Sequence, residues 1–214
     1  MTDYSLRDKL ITEFIGTFFL TLTICLAVVF ETSDPELAPF AIASTLMVMI
    51  YAGGHVSGAH YNPAVTIAIY LRGACNKSEI APYIASQFAA AVAAAVIASN
   101  VFMQGELGEG ELAMDPVPAL AAELMFTFAL AYVILNVATS ETTEGNGYYG
   151  AAIASVVLAG ALTVGSISGA SFNPAVSVSL ILSGPLEVAD SWLHFVPQLV
   201  GGSLAAYVFK TQQE

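Results

Sequence analysis

Stretches without Asp, Glu, Lys or Arg set the strongest limit on the fold of this chain. Six of them are 17 residues or longer, at 14–30, 37–71, 80–105, 124–140, 145–186 and 191–209. One membrane crossing takes about 20 mainly apolar residues, so four of the stretches match one crossing each. The stretches 37–71 and 145–186 are too long for one crossing and too short for two with a solvated loop between them. Each therefore holds a crossing and an additional apolar segment.

The composition agrees with a chain that lies mostly in a membrane. Hydrophobic residues make up 57% of the chain and charged residues only 10%, whereas a soluble domain has roughly a quarter charged residues. We predict an all-α membrane protein, with spans at about 10–30, 38–58, 79–102, 117–138, 148–168 and 191–210.

The basic residues predict the orientation of these spans. All five lie on one side of the predicted topology: Arg7, Lys9, Arg72, Lys77 and Lys210. Because cytoplasmic loops collect Lys and Arg, we expect a multi-pass protein of the cell membrane with both termini in the cytoplasm.

The opposite side of the predicted topology carries acidic residues and no basic ones: Glu31, Asp34, Glu36, Glu106, Glu109, Glu111, Asp115, Glu187 and Asp190. Such a face repels anions that approach the protein. It can equally be a solvated surface adapted to salt. The sequence leaves both interpretations open.

The chain repeats itself. SGAHYNPAVT at 57–66 returns as SGASFNPAVS at 168–177, in the additional part of each long stretch. Glu13 precedes Asn62 by 49 residues, and Glu123 precedes Asn173 by 50. This spacing indicates a duplicated three-span unit, at about 8–103 and 115–210, within a single transmembrane domain at 1–214. An odd number of crossings inverts the second copy relative to the first.

The repeated phrase has the chemistry of a helix start. Asn is a favoured N-cap and Pro is favoured at the first helical position. Non-helical backbone at membrane depth must be buried in protein or line a watery cavity. We therefore predict two re-entrant half-helices, which bring Asn62 and Asn173 together near the midplane with their positive dipole ends inward.

Two Asn-Pro-Ala boxes in inverted halves, with Glu13 and Glu123 in the first span of each half, resemble the aquaporin or major intrinsic protein family of water and small-solute channels. The resemblance covers essentially the whole chain. It implies a channel that is not an enzyme and uses no cofactor or metal. It also implies a homotetramer with one pore per protomer.

The resemblance assigns residues to the pore. Asn62-Pro63-Ala64 and Asn173-Pro174-Ala175 would meet at the midplane, with the Asn amides as donors to a passing molecule. Backbone carbonyls before each box would form a ladder of acceptors: Gly58, Ala59, His60, Gly169, Ala170 and Ser171. Glu13 and Glu123 would brace the re-entrant backbone N–H groups. Alternatively, they reach the membrane interface from the ends of their spans.

The selectivity filter departs from the family pattern. Most relatives have Arg directly after the second box, where this chain has Val176. By offset, the other filter positions fall on Ile42, Ala161 and Ser171, without the aromatic residue and His that are usual in water-selective relatives. The filter is therefore expected to be wide, nearly aliphatic and without a cation. We expect it to pass water and small neutral solutes, with glycerol and undissociated metalloid hydroxides such as arsenous acid favoured.

Other functions remain open at this point. A water-selective aquaporin is the nearest alternative, and an ion-coupled carrier could also use inverted repeats and broken helices. A carrier would need titratable groups near the midplane, whereas the embedded acids are in the bracing positions. An intramembrane enzyme would need a nucleophile or a metal set, and Cys25 and Cys75 lack metal-ligand spacing.

Two further expectations concern packing. The Ala-rich segment 89–99 suits close helix contact, either between protomers or inside one. His194 is expected at the membrane interface beside Trp192, because aromatic residues collect there.

Overall fold

The computed structural model describes residues 4–108 and 111–213. These residues form eight α-helices: α1 Leu6–Ile24, α2 Ala38–Ser57, α3 Pro63–Arg72, α4 Lys77–Ile97, α5 Pro116–Ala138, α6 Tyr149–Ser168, α7 Pro174–Ser183 and α8 Trp192–Gln213. A π-helical turn extends α1 through Cys25–Val29, and another extends α4 through Ala98–Phe102. Glu109, predicted on the acidic side, lies outside the described residues.

Within the part of the chain that the structure describes, five helical segments are long and apolar enough to cross a membrane: Leu6–Val29, Pro35–Ser57, Lys77–Phe102, Pro116–Ala138 and Tyr149–Ser168. The sixth transmembrane helix, α8, has 22 residues and is not among these five; polar residues such as His194 and Gln198 lower its hydropathy. It packs lengthwise against α5. The predicted fold class, with six transmembrane helices and two half-helices, is confirmed.

The two short helices result from local chemistry at the repeated phrase. α2 ends at Gly58 (φ 85°) and α6 at Gly169 (φ 75°), both in the left-handed conformation that glycine adopts readily. The chain then turns back and starts a helix of ten residues at Pro63 and again at Pro174. Ten helical residues rise about 15 Å, which is half of a typical hydrocarbon core.

Each half-helix packs against helices of the other repeat. α3 lies against α8, and α7 lies against α4. A Cβ atom at Gly201 would lie 2.5 Å from the Leu124 carbonyl oxygen of α5, and one at Gly202 would lie 2.9 Å from the Ala64 oxygen of α3. These two glycines let α8 approach both neighbours closely, so the two repeats interlock.

The helix order places all the basic residues on one face. The connections α1–α2, α4–α5 and α7–α8 lie on one side, which we call the acidic face; its described acidic residues are Glu31, Asp34, Glu36, Glu106, Glu111, Asp115, Glu187 and Asp190. The opposite side, which we call the basic face, carries all five Lys and Arg residues together with the acidic residues Asp8, Glu79, Glu141 and Glu144.

The Ala-rich segment is used inside the protomer. Five of its alanines are at most 1% exposed: Ala90, Ala91, Ala94, Ala95 and Ala98. Helix α4, which carries most of them, packs against α1 and α7. Of the two alternatives for this segment, the structure supports packing within one chain.

Candidate functional site

The two box asparagines hold the ends of the half-helices together. Asn62 Oδ1 accepts from the Ala64 N–H at 2.8 Å, and Asn173 Oδ1 accepts from the Ala175 N–H at 2.9 Å, so each asparagine is an N-cap. Asn62 Nδ2 donates to the Phe172 carbonyl, and Asn173 Nδ2 donates to the Tyr61 carbonyl, both at 2.9 Å. Each NH₂ group has two donors, so these bonds use one N–H of each asparagine and leave the other.

A cavity of about 290 Å³ runs from the acidic face to these asparagines. Its wall is mainly aliphatic and comes from α1, α2, α5 and α6 with both re-entrant segments. Asn62, Asn173 and His60 supply polar side chains near its inner end. Glu31 lies at the mouth of the cavity. It is the one charged residue among the described residues that line the cavity.

All four predicted filter positions line this cavity: Ile42, Ala161, Ser171 and Val176. The Val176 side chain is 2% exposed. The Ser171 hydroxyl donates to the Asn173 carbonyl at 3.0 Å and lies 2.8 Å from Ser177 Oγ. Its hydrogen-bonding capacity is thus largely used within its own half-helix, and the wall at this level is nearly apolar.

The segments before each box have an unusual backbone. Ala59 and Tyr61 have φ of 50°, and Ala170 and Phe172 have φ of 47° and 49°. This left-handed region costs an L-residue roughly 1–2 kcal/mol, so the surroundings must hold it. Of the predicted carbonyl ladder, five residues line the cavity: Ala59, His60, Gly169, Ala170 and Ser171. Gly58 is not among the described lining residues.

In the first repeat the re-entrant backbone is held by Glu13, which is fully buried. Its carboxylate accepts from the His60 N–H at 2.9 Å and the Tyr61 N–H at 2.7 Å. It also accepts from Ser57 Oγ at 2.7 Å and Gln87 Nε2 at 2.8 Å. Four donors surround this acceptor-only group.

The second repeat reproduces the arrangement around Glu123, also fully buried. The N–H groups of Ser171 and Phe172 donate to it at 3.0 and 2.8 Å. Ser168 Oγ and Gln198 Nε2 do so at 2.7 Å each. Neither glutamate reaches an interface, so the alternative placement at the end of a span does not apply.

Sequence reasoning missed the glutamines of this network. Gln87 Nε2 also donates to Thr66 Oγ1 at 3.0 Å, and Gln198 Nε2 to Ser177 Oγ at 3.1 Å. Each glutamine stands 25 residues after the box asparagine of its own repeat. Extending the comparison of the two halves beyond the boxes would have found both.

The prediction for His194 is wrong. Trp192 is 48% exposed, but His194 is fully buried and its Nδ1 lies 3.0 Å from Ser177 Oγ. In the first repeat the equivalent position is Tyr83, whose hydroxyl donates to the Ser57 carbonyl at 2.9 Å. His194 is therefore part of the packing behind a half-helix, because the first turn of α8 faces α7.

One group of acidic residues lies outside the cavity. Carboxylate oxygens of Glu111, Glu187 and Asp190 lie within 4.8 Å of one another on the acidic face. Two of the three side chains are exposed and the third is half-buried. Carboxylates often gather in this way on a hydrated surface without binding a metal.

Comparison with known proteins agrees with this geometry. The sequence profile of the family described as Major intrinsic protein matches residues 1–209. This chain belongs to the major intrinsic protein family. Members of this family are membrane channels for water and small solutes and are not enzymes, so this major intrinsic protein is a channel of that kind.

Curated relatives and a solved structure extend the match. The chain is 34% identical to Aquaporin NIP1-1 of Zea mays, over 94% of this chain and 73% of the relative. It is 36% identical to Putative aquaporin NIP4-1 of Arabidopsis thaliana, over 92% and 70%. The X-ray structure of the aquaglyceroporin from Plasmodium falciparum has the same fold, with a TM-score of 0.77, 20% identity and 96% of each chain covered.

Proposed function

We propose that this major intrinsic protein is a passive channel for small neutral solutes and water, with glycerol-like solutes and arsenous acid favoured. The observation that carries the proposal is Val176, a buried aliphatic residue at the position where most relatives have Arg. With Ile42, Ala161 and Ser171, this residue forms a filter that is wide and has no charged side chain. Water loses part of its hydration there without replacement, while a larger solute gains apolar contact.

The polar groups along the rest of the channel also favour neutral solutes. Asn62 and Asn173 each keep an amide N–H for the cavity, and Ala59, His60, Gly169 and Ala170 place backbone along its wall. We propose that the carbonyls of this ladder and of Gly58 act as acceptors. A solute with several hydroxyl groups can then exchange hydration for donors on one side and acceptors on the other.

An ion-coupled carrier is less well supported. It would need a titratable group that binds and releases a proton or ion during transport. Glu13 and Glu123 each accept four hydrogen bonds from their own repeat. Neither glutamate is among the described residues that line the cavity. We propose a bracing role for both.

We also propose the setting of the channel. Repeats at about 8–103 and 115–210 form one transmembrane domain, with one pore in each protomer of a homotetramer. The five Lys and Arg residues support a basic face in the cytoplasm of a cell membrane. The acidic face then surrounds the outer mouth, where Glu31 repels anions.

Uptake into proteoliposomes tests the channel mechanism. We expect the initial rate of labelled glycerol uptake to rise linearly with concentration and to be unaffected by an imposed proton gradient, because no carrier site has to be reloaded. The variant Ala161→Trp should lower uptake to the level of protein-free liposomes, since Ala161 lines the cavity.

Leu162→Trp is the matched control, because Leu162 is the next residue of α6 and is 55% exposed. It should transport as the parent does. Uptake that saturates and follows the proton gradient would contradict the proposal in favour of a carrier.

A further inference from the structure

The two half-channels differ where their re-entrant segments begin. Gly58 and Gly169 are equivalent residues that end α2 and α6. A Cβ atom at Gly58 would lie 3.2 Å from His60 Nε2, so the imidazole of its own segment lies beside this exposed glycine. The residue equivalent to His60 in the second repeat is Ser171, which is too short to do the same.

The second glycine, Gly169, is half-buried and lies against Leu112. A Cβ atom at Gly169 would lie 2.8 Å from Leu112 Cδ2 and 3.6 Å from Cδ1. Leu112 belongs to the connection between α4 and α5, far from the repeated phrases in sequence. The apolar side chain of Leu112 therefore lies against Gly169 in the second repeat, where the imidazole of His60 lies against Gly58 in the first repeat.

The backbone around Leu112 directs this side chain inward. The Leu112 N–H donates to the Pro185 carbonyl at 2.8 Å, which ties the connection to the end of α7. The neighbours Glu111 and Ala113 are exposed, whereas Leu112 is half-buried, packs against the hydrophobic core and lines the cavity.

We propose that Leu112 is a specificity-determining residue that narrows the acidic-face half of the channel and makes its wall apolar. The proposal rests on the proposed function and adds a residue outside the filter and the boxes. His60 Nδ1 lies 3.2 Å from Thr66 Oγ1, which leaves Nε2 to face a solute in the other half. Leu112 has no polar atom to offer, so it limits solutes by size alone.

Substitutions of opposite size test this role. Permeabilities to water, urea, glycerol and the five-carbon polyol xylitol are measured in proteoliposomes of the parent, Leu112→Ala and Leu112→Phe. We expect Leu112→Ala to raise the xylitol-to-glycerol ratio by about tenfold, as the loss of apolar bulk in a discriminating pocket does. Leu112→Phe should lower the glycerol-to-water ratio. Leu107→Ala, in the same connection and 62% exposed, is the matched control and should keep both ratios.

The results separate this role from a purely structural one. If Leu112 only held the connection in place, both variants would reduce transport of every solute in proportion, and that result would overturn the proposal. Unchanged ratios in folded variants would overturn it as well. A parent that passes only water, combined with a Leu112→Ala variant that passes glycerol, would contradict the proposed solute class and still support Leu112 as the size limit.

Discussion

Val176→Arg is expected to convert the channel into one that excludes glycerol while water still passes. The guanidinium would fill space next to Ile42 and Ala161 and supply a fork of donors that can replace the hydration of water. A loss of about 1–3 kcal/mol for a solute that no longer fits lowers the glycerol-to-water permeability ratio by about fivefold to 150-fold. Stopped-flow light scattering on proteoliposomes measures both permeabilities.

The control for this variant is Val176→Leu, which adds bulk without charge and should change the ratio much less. Folding is checked by size-exclusion chromatography, because Val176 is buried and the Ser171 hydroxyl is already engaged. A folded Val176→Arg protein that passes glycerol at the parental ratio to water would show that selectivity is determined elsewhere.

Glu13→Ala and Glu123→Ala are expected to abolish most of the folded protein. Each change removes the acceptor of two backbone N–H groups and two side-chain donors. An unsatisfied buried donor costs about 1–3 kcal/mol, and folded proteins have a total stability of only about 5–15 kcal/mol. The left-handed backbone at Tyr61 and Phe172 would also lose its support. The yield of monodisperse protein and its thermal unfolding midpoint measure the effect.

Glu36→Ala is the matched control, because Glu36 is exposed in the α1–α2 connection and should leave both quantities unchanged. The fraction of each Glu13 or Glu123 variant that folds should keep the parental solute ratios. Variants that fold normally and lose only proton-dependent transport would contradict the bracing role and favour a carrier.

The fold could be predicted because the phrase that starts each half-helix occurs twice in the sequence, at 57–66 and at 168–177. Asn is a favoured N-cap and Pro a favoured first helical residue, and the two overlong uncharged stretches leave room for one half-helix each. The positions of Glu13 and Glu123 follow from the same duplication. Gln87 and Gln198 were equally accessible, since each repeats at the same distance from its box.

Contacts that do not repeat could not be predicted. Leu112 reaches Gly169 through a connection whose path depends on its hydrogen bond to Pro185, and nothing in the local pattern marks this partner. His194 was misplaced because a polar aromatic residue beside Trp192 has the composition of an interface, while the rotation of α8 turns it toward Ser177. The Ala-rich segment suits any close packing, so only the neighbours of α4 decide its use.

The response of parent proteoliposomes to a sudden glycerol gradient tests the central claim most directly. If the filter passes neutral solutes, the vesicles shrink as water leaves and then swell again faster than protein-free liposomes, because glycerol enters and water follows it. A fast shrinkage without accelerated reswelling, identical to the response to an impermeant sugar, would contradict the account and identify a water-selective channel.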